Sequence, residues 1–147
     1  MGPRLRGGVL LCAFFFLLAP SAFGSDDCNH KMWKWTVDKK AAIDLQKLVN
    51  DGRQPWRMDD TAAVASEAIQ ARKKEWADND TVVEAAKPIS QTRDTALMAA
   101  ASKDGHIRYE VTLRKYSWLL HSAHDHWDWI IWFAARVQRI ECPTPPQ

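Results

Sequence analysis

Glycine is scarce in this 147-residue chain, six residues in all. None of them builds a Gly-rich phosphate loop or a G-x-S-x-G elbow, which leaves nucleotide cradling and serine-nucleophile catalysis without their usual backbone device. Charge of one sign is also missing, with 20 Lys+Arg against 18 Asp+Glu. The two surplus cations, Arg4 and Arg6, lie in the first 24 residues, and without them the tally is 18 against 18. A chain with no net field does not draw in a phosphate backbone over distance, so nucleic acid is not an expected partner. There is no internal repeat, low-complexity tract or long linker, and the 46% hydrophobic content excludes a disordered chain.

Long hydrophobic runs are absent too. The longest, Val9 to Ala19, covers roughly half of a membrane's hydrocarbon core at about 1.5 Å per residue. It follows two arginines, is broken by Pro20, and leads to small residues at Ala22 and Gly24. This is the layout of a signal peptide over residues 1–24, with cleavage after Gly24. After cleavage no transmembrane segment is expected in residues 25–147, which form one exported domain, secreted or periplasmic. Cys12 leaves with the leader, and the remaining pair, Cys28 and Cys142, stands near the two ends of the mature chain. An even pair in an oxidising compartment is expected to form one disulfide. Closing a loop of about 115 residues removes unfolded-chain entropy worth at most roughly 4–5 kcal/mol.

Two amphipathic helices are expected after the tryptophan-rich stretch Met32-Trp33-Lys34-Trp35. The first runs from Thr36 to Asp51 with Ala41, Leu45, Leu48 and Val49 at helical spacing and Gly52 as its stop. The second runs from Thr61 to Trp76, capped by Asp59 or Asp60. Between them Pro55 forces Gln54 extended and has no N–H to continue a helix. Thr81-Val82-Val83-Glu84 has capping-box spacing, which predicts a third short helix ending at Pro88. The period then changes to two. Ala96 to Ser102 and Ile107 to Arg114 read as strands around the turn Asp104-Gly105. Trp127 to Glu141 supplies a third, with Trp127 and Trp129 on one face and Trp132 on the other. The expected class is α+β, with N-terminal helices packed on a C-terminal antiparallel three-stranded meander.

The segment Gln54-Pro55-Trp56-Arg57 with Asp59 two residues later, a helix, the strand Val111-Thr112-Leu113-Arg114 and a closing Trp-rich strand together resemble small bacterial envelope-associated domains that carry a QPWR-x-D connector. The resemblance implies a bacterial, exported single domain and carries over no catalytic residue. The residues themselves explain the connector in two ways. Trp56 can plug a junction while Arg57 reaches carbonyls or a carboxylate and Asp59 caps a helix. Alternatively, Trp56 and Arg57 line a groove for an anionic or aromatic ligand.

Two other features invite a functional reading. His121, His124 and His126, with Asp125 and Asp128 beside them, have the chemistry to hold Zn, Cu or Ni if a loop brings them to one point. Eight tryptophans are many for this length. On an open sheet face, Trp127 and Trp129 would form a platform for a sugar ring or a protein partner. The leading expectation is a non-catalytic exported binding or interaction domain. The alternatives are a small metal-dependent enzyme using His121, His124 and His126, and a periplasmic inhibitor or immunity protein.

Overall fold

A computed structural model describes residues 27–143. The expected signal peptide, residues 1–24, lies outside the described residues. The frame is a five-stranded antiparallel sheet in the order β1-β5-β4-β3-β2. Its strands are β1 (Asn29–Lys34), β2 (Lys87–Gln91), β3 (Thr95–Ala101), β4 (Ile107–Arg114) and β5 (Phe133–Glu141). Helices α1 (Lys39–Asn50) and α2 (Thr61–Lys73) lie between β1 and β2. Short 3-10 turns occur at Pro55–Met58, Ser117–Leu119 and Trp127–Trp129.

This corrects the expected three-stranded meander behind N-terminal helices. The sheet has two further strands, and the described chain opens on a strand. The first addition, β1, comes from the tryptophan-rich stretch. It pairs with the last strand in the register Asn29↔Glu141 to Lys34↔Arg136. One step further in that register stand Cys28 and Cys142, which are joined by a disulfide across 114 residues. The second addition, β2, replaces the end of the expected third helix. The backbone around Thr81–Glu84 finds partners in the neighbouring hairpin: Glu84 N donates to Ala101 O at 2.9 Å and Lys103 N to Val82 O at 2.9 Å. Those bonds outcompete a short isolated helix, whose nucleation is costly. Pro88 then sits on an edge strand beside a bulge between Pro88 and Ser90, where a missing N–H is tolerated.

The β3–β4 hairpin turns through Gly105 at φ 79°. Asp104 Oδ1 accepts from Ser102 Oγ (2.6 Å) and His106 N (3.0 Å), and these bonds hold its carboxyl below its ordinary value of 3.8. The last strand starts later than expected. Trp127–Trp129 is a 3-10 turn and β5 begins at Phe133, so the expected disposition of Trp127 and Trp129 on a strand face does not hold.

Helix α2 covers one face of the sheet. Val64, Ala65, Ala68 and Ile69 from the helix meet Met98, Tyr109, Val111, Leu113 and Val137 from the strands, all buried. Asp60 caps the helix by accepting from Ala63 N at 2.9 Å. Helix α1, capped by Asp38 at Ala41 N (3.0 Å), instead builds a second core with Leu119, Ala123, Ile130 and Ile131. Its buried stripe is Ala42, Gln46 and Val49, while Leu48 is exposed. Gln46 is fully buried because the loop before β5 lacks ladder partners. Its amide donates to Trp129 O at 2.8 Å and accepts from Ile131 N at 3.0 Å.

Among the described residues, one ion pair has both side chains buried. Alternation along β5 sends Arg139 to the helix side, where Nε and Nη2 donate to the two oxygens of Asp78, each at 2.7 Å. Tyr109 OH donates to the same carboxylate at 2.5 Å, and Arg139 Nη1 also reaches Glu141 at 2.7 Å. Burial by itself raises the Asp78 carboxyl, but the bonds from Arg139 and Tyr109 and the charge of Arg139 outweigh it. The group therefore rests below its ordinary 3.8. Burial and the neighbouring carboxylate push the Tyr109 phenol up. The bonds to Asp78 hold the Arg139 guanidinium more firmly protonated than usual. Every side-chain group in this cluster is paired, which is the condition under which a buried charge is tolerated.

Candidate functional site

A cleft of about 300 Å³ opens where α1, α2 and the start of β5 meet. Its walls follow from the way the chain is stitched there. Trp35 N donates to Ala135 O at 3.0 Å, which lays Trp35, Thr36 and Val37 along the start of β5. Trp132 N donates to Arg57 O at 2.8 Å, which fixes the QPWR turn to the residue just before that strand. Ala41, Ala42 and Leu45 from α1, with Val64, Ala68 and Ala71 from α2, form the two sides, and Trp132, Phe133 and Ala134 form the floor. The small side chains on both helices are what leave the space.

Polar groups at this cleft are few, and the charged pair among them is satisfied. Arg57 and Glu67 both line it. Arg57 Nη2 donates to both Glu67 oxygens at 2.9 Å, and Arg57 Nε donates to Gln54 Oε1 at 2.6 Å. The guanidinium also lies over the Trp56 ring at 4.4 Å. The four connector residues thus form a closed unit: Gln54 is left-handed at φ 48° and not extended as expected, a turn in which its side chain accepts from Arg57, while Pro55 starts the 3-10 turn and Trp56 backs the cation. Because Arg57 is already neutralised, the cleft offers an apolar surface and not a free cation to whatever enters it.

Arg57 is therefore the one sequence-predicted candidate that lines the cleft. Trp56 supports Arg57 from behind and packs against the core. Trp127 is covered by Arg93, whose guanidinium lies 3.9 Å from the ring centroid, and its Nε1 donates to Arg93 O at 3.4 Å. Trp129 is part-exposed and flanked by imidazoles, His126 stacked at 4.4 Å and His124 edge-on at 6.0 Å. His121, His124 and His126 occupy an exposed turn in which His124 and Asp125 both take left-handed backbone, φ 53° and 60°. Among the described residues no three His, Cys, Asp or Glu side chains stand together as a metal-holding group. The strands' open face, turned away from α2, carries no tryptophan among the residues paired across it, so the expected aromatic platform is not formed there.

Trp35, Glu67 and Phe133 line the cleft without having been candidate site residues, and Leu45 was expected only as part of the apolar stripe of α1. Trp35 could have been found from the alternation Trp33-Lys34-Trp35, which is strand-like. Nothing in the sequence links Glu67 to Arg57, because their pairing depends on how α2 docks on the sheet. Among the described residues, no helix is long and apolar enough to cross a membrane. Comparison with models of known families, with curated proteins and with solved structures returned no match to this chain.

Proposed function

We propose that this chain is a non-catalytic binding domain that takes an apolar aliphatic or aromatic group into the cleft between α1, α2 and β5. The observation that carries this reading is a concave apolar surface of about 300 Å³ whose one ion pair, Arg57 with Glu67, is satisfied within the protein. That volume falls at the low end of the range of roughly 300–1,000 Å³ used for small ligands. It suits a single side chain, ring system or short alkyl chain. The Cys28–Cys142 disulfide supports an exported setting, secreted or periplasmic, because such bonds persist where thiols are not kept reduced.

The test uses 1-decanol as the ligand and the intrinsic fluorescence of Trp35 and Trp132, both in the cleft lining, as the signal. Ala71 lies on the exposed rim, so Ala71→Phe fills the space without disturbing the core. A saturable change in the parent chain that Ala71→Phe abolishes, at a melting temperature within about 2 °C of the parent, supports the reading. No saturable change, or the same change in Ala71→Phe, contradicts it.

A further inference from the structure

The sheet's open face contains a second concave site of about 320 Å³, lined by Lys34, Thr112, Arg114, Tyr116, Ala135 and Arg136. It arises from a bulge. Thr112 is paired with Arg136 and Leu113 with Ala134, so Ala135 is the extra residue and the strand bends there. Lys34 is paired directly with Arg136 in the register of β1 and β5, which puts two cations opposite each other on one face. Such like-charge pairs oppose sheet formation. Arg114 adds a third cation at the same place. Among the described residues, no acidic side chain lines the concavity. The nearest acid on that face in the β4–β5 pairing, Glu110, is engaged by Arg108 at 3.0 Å. Two hydroxyl-bearing residues, Thr112 and Tyr116, complete the lining, and the Tyr116 ring is held by stacking on Trp118 at 5.4 Å.

We infer that this bulged concavity binds a phosphate group, supplied by a soluble molecule or by a lipid headgroup. Three cations in one small hollow repel each other in the free protein, and an oxyanion relieves that repulsion while accepting charge-assisted hydrogen bonds from the guanidinium groups. The site lies on the face turned away from the apolar cleft and does not depend on the reading given for it. The net neutrality of residues 25–147 does not oppose the site, because the charges are concentrated locally.

Thermal melts in sodium phosphate against sodium chloride of equal ionic strength test the site, with Arg114→Gln, Arg136→Gln and the exposed control Lys103→Gln. Phosphate is expected to raise the melting temperature of the parent chain and of Lys103→Gln. Each arginine variant is expected to bind phosphate about tenfold more weakly, as for loss of one charged hydrogen-bonding partner. Arg136→Gln is also expected to melt higher than the parent chain in chloride. Sedimentation with phosphatidylcholine vesicles, with and without phosphatidylglycerol, separates the sources. Arginine-dependent binding to the phosphatidylglycerol vesicles places the phosphate on a headgroup, and a response to inorganic phosphate alone places it on a soluble molecule. The proposal is overturned if the parent chain responds to neither, if the arginine variants keep the response, or if Lys103→Gln loses it equally.

Discussion

At the scale of single residues, the buried Asp78, Arg139 and Tyr109 form one charged cluster, with the exposed Glu141 at its edge. Asp78→Asn preserves shape but leaves the buried Arg139 with only the exposed Glu141 as counter-charge. The expected loss is about 3–5 kcal/mol, measured by urea unfolding at neutral pH. The same carboxylate gives a pH dependence of known sign. Its folded-state value lies below 3.8, so the unfolded chain takes up the proton first. Its contribution is complete above about pH 4 and is lost as the pH falls through the folded-state value. Urea midpoints measured along the acid limb should therefore fall less steeply in Asp78→Asn than in the parent chain. Neither Asp78 nor Arg139 can be identified from sequence as a pair, because the turn after α2 and the ninth-residue strand β5 meet only through the tertiary fold.

At the scale of elements, the parts with strong local signals are where the sequence places them. The alternation Ile107, Tyr109, Val111 and Leu113 becomes the buried face of β4, and Asp104-Gly105 becomes its hairpin turn. Helix α1 forms, but its buried stripe is offset from the expected one, with Gln46 and Ala42 inside and Leu48 outside. A polar residue wins a core position there because the loop at 129–131 needs its amide. Gln46→Leu, close in size, should lower stability by about 2 kcal/mol through the orphaned Ile131 N–H, with a red shift in Trp129 emission as the loop loosens. An unchanged urea midpoint in this variant would show that the amide is not what holds the loop. The expected third helix does not form because a capping-box spacing is a local preference of order 1 kcal/mol, smaller than the gain from adding strand pairing to an existing sheet edge. The QPWR connector was legible as a turn with an arginine able to reach a carboxylate. That its partner is Glu67, and that the pair borders a cleft, depended on helix docking.

At the scale of the whole molecule, the cysteine pair is the most informative sequence signal, because it constrains the strands beside it as well as the two ends. Joining residues 28 and 142 brings the strand-like stretch at 29–34 beside the end of the last strand, which is the β1–β5 pairing observed. The double variant Cys28→Ser/Cys142→Ser should lose at most about 4–5 kcal/mol in urea unfolding, with the edge strand β1 exchanging its amide hydrogens sooner than β4. Equal protection of the two strands would show that β1 is held by its ladder alone. The cleft and the bulged hollow are likewise properties of the assembled molecule. One comes from small side chains on two helices, the other from cations on three strands, and no segment shows either by itself.

The proposed ligand site is the apolar cleft between α1, α2 and β5. Two-dimensional NMR of the eight tryptophan indole N–H groups during titration with 1-decanol tests that directly. Trp35 and Trp132 are predicted to shift saturably, while Trp76 and Trp129, outside the cleft lining, stay in place, and Ala71→Phe should cancel the shifts. Shifts centred on Trp129, or none at saturation of the alcohol, would contradict it.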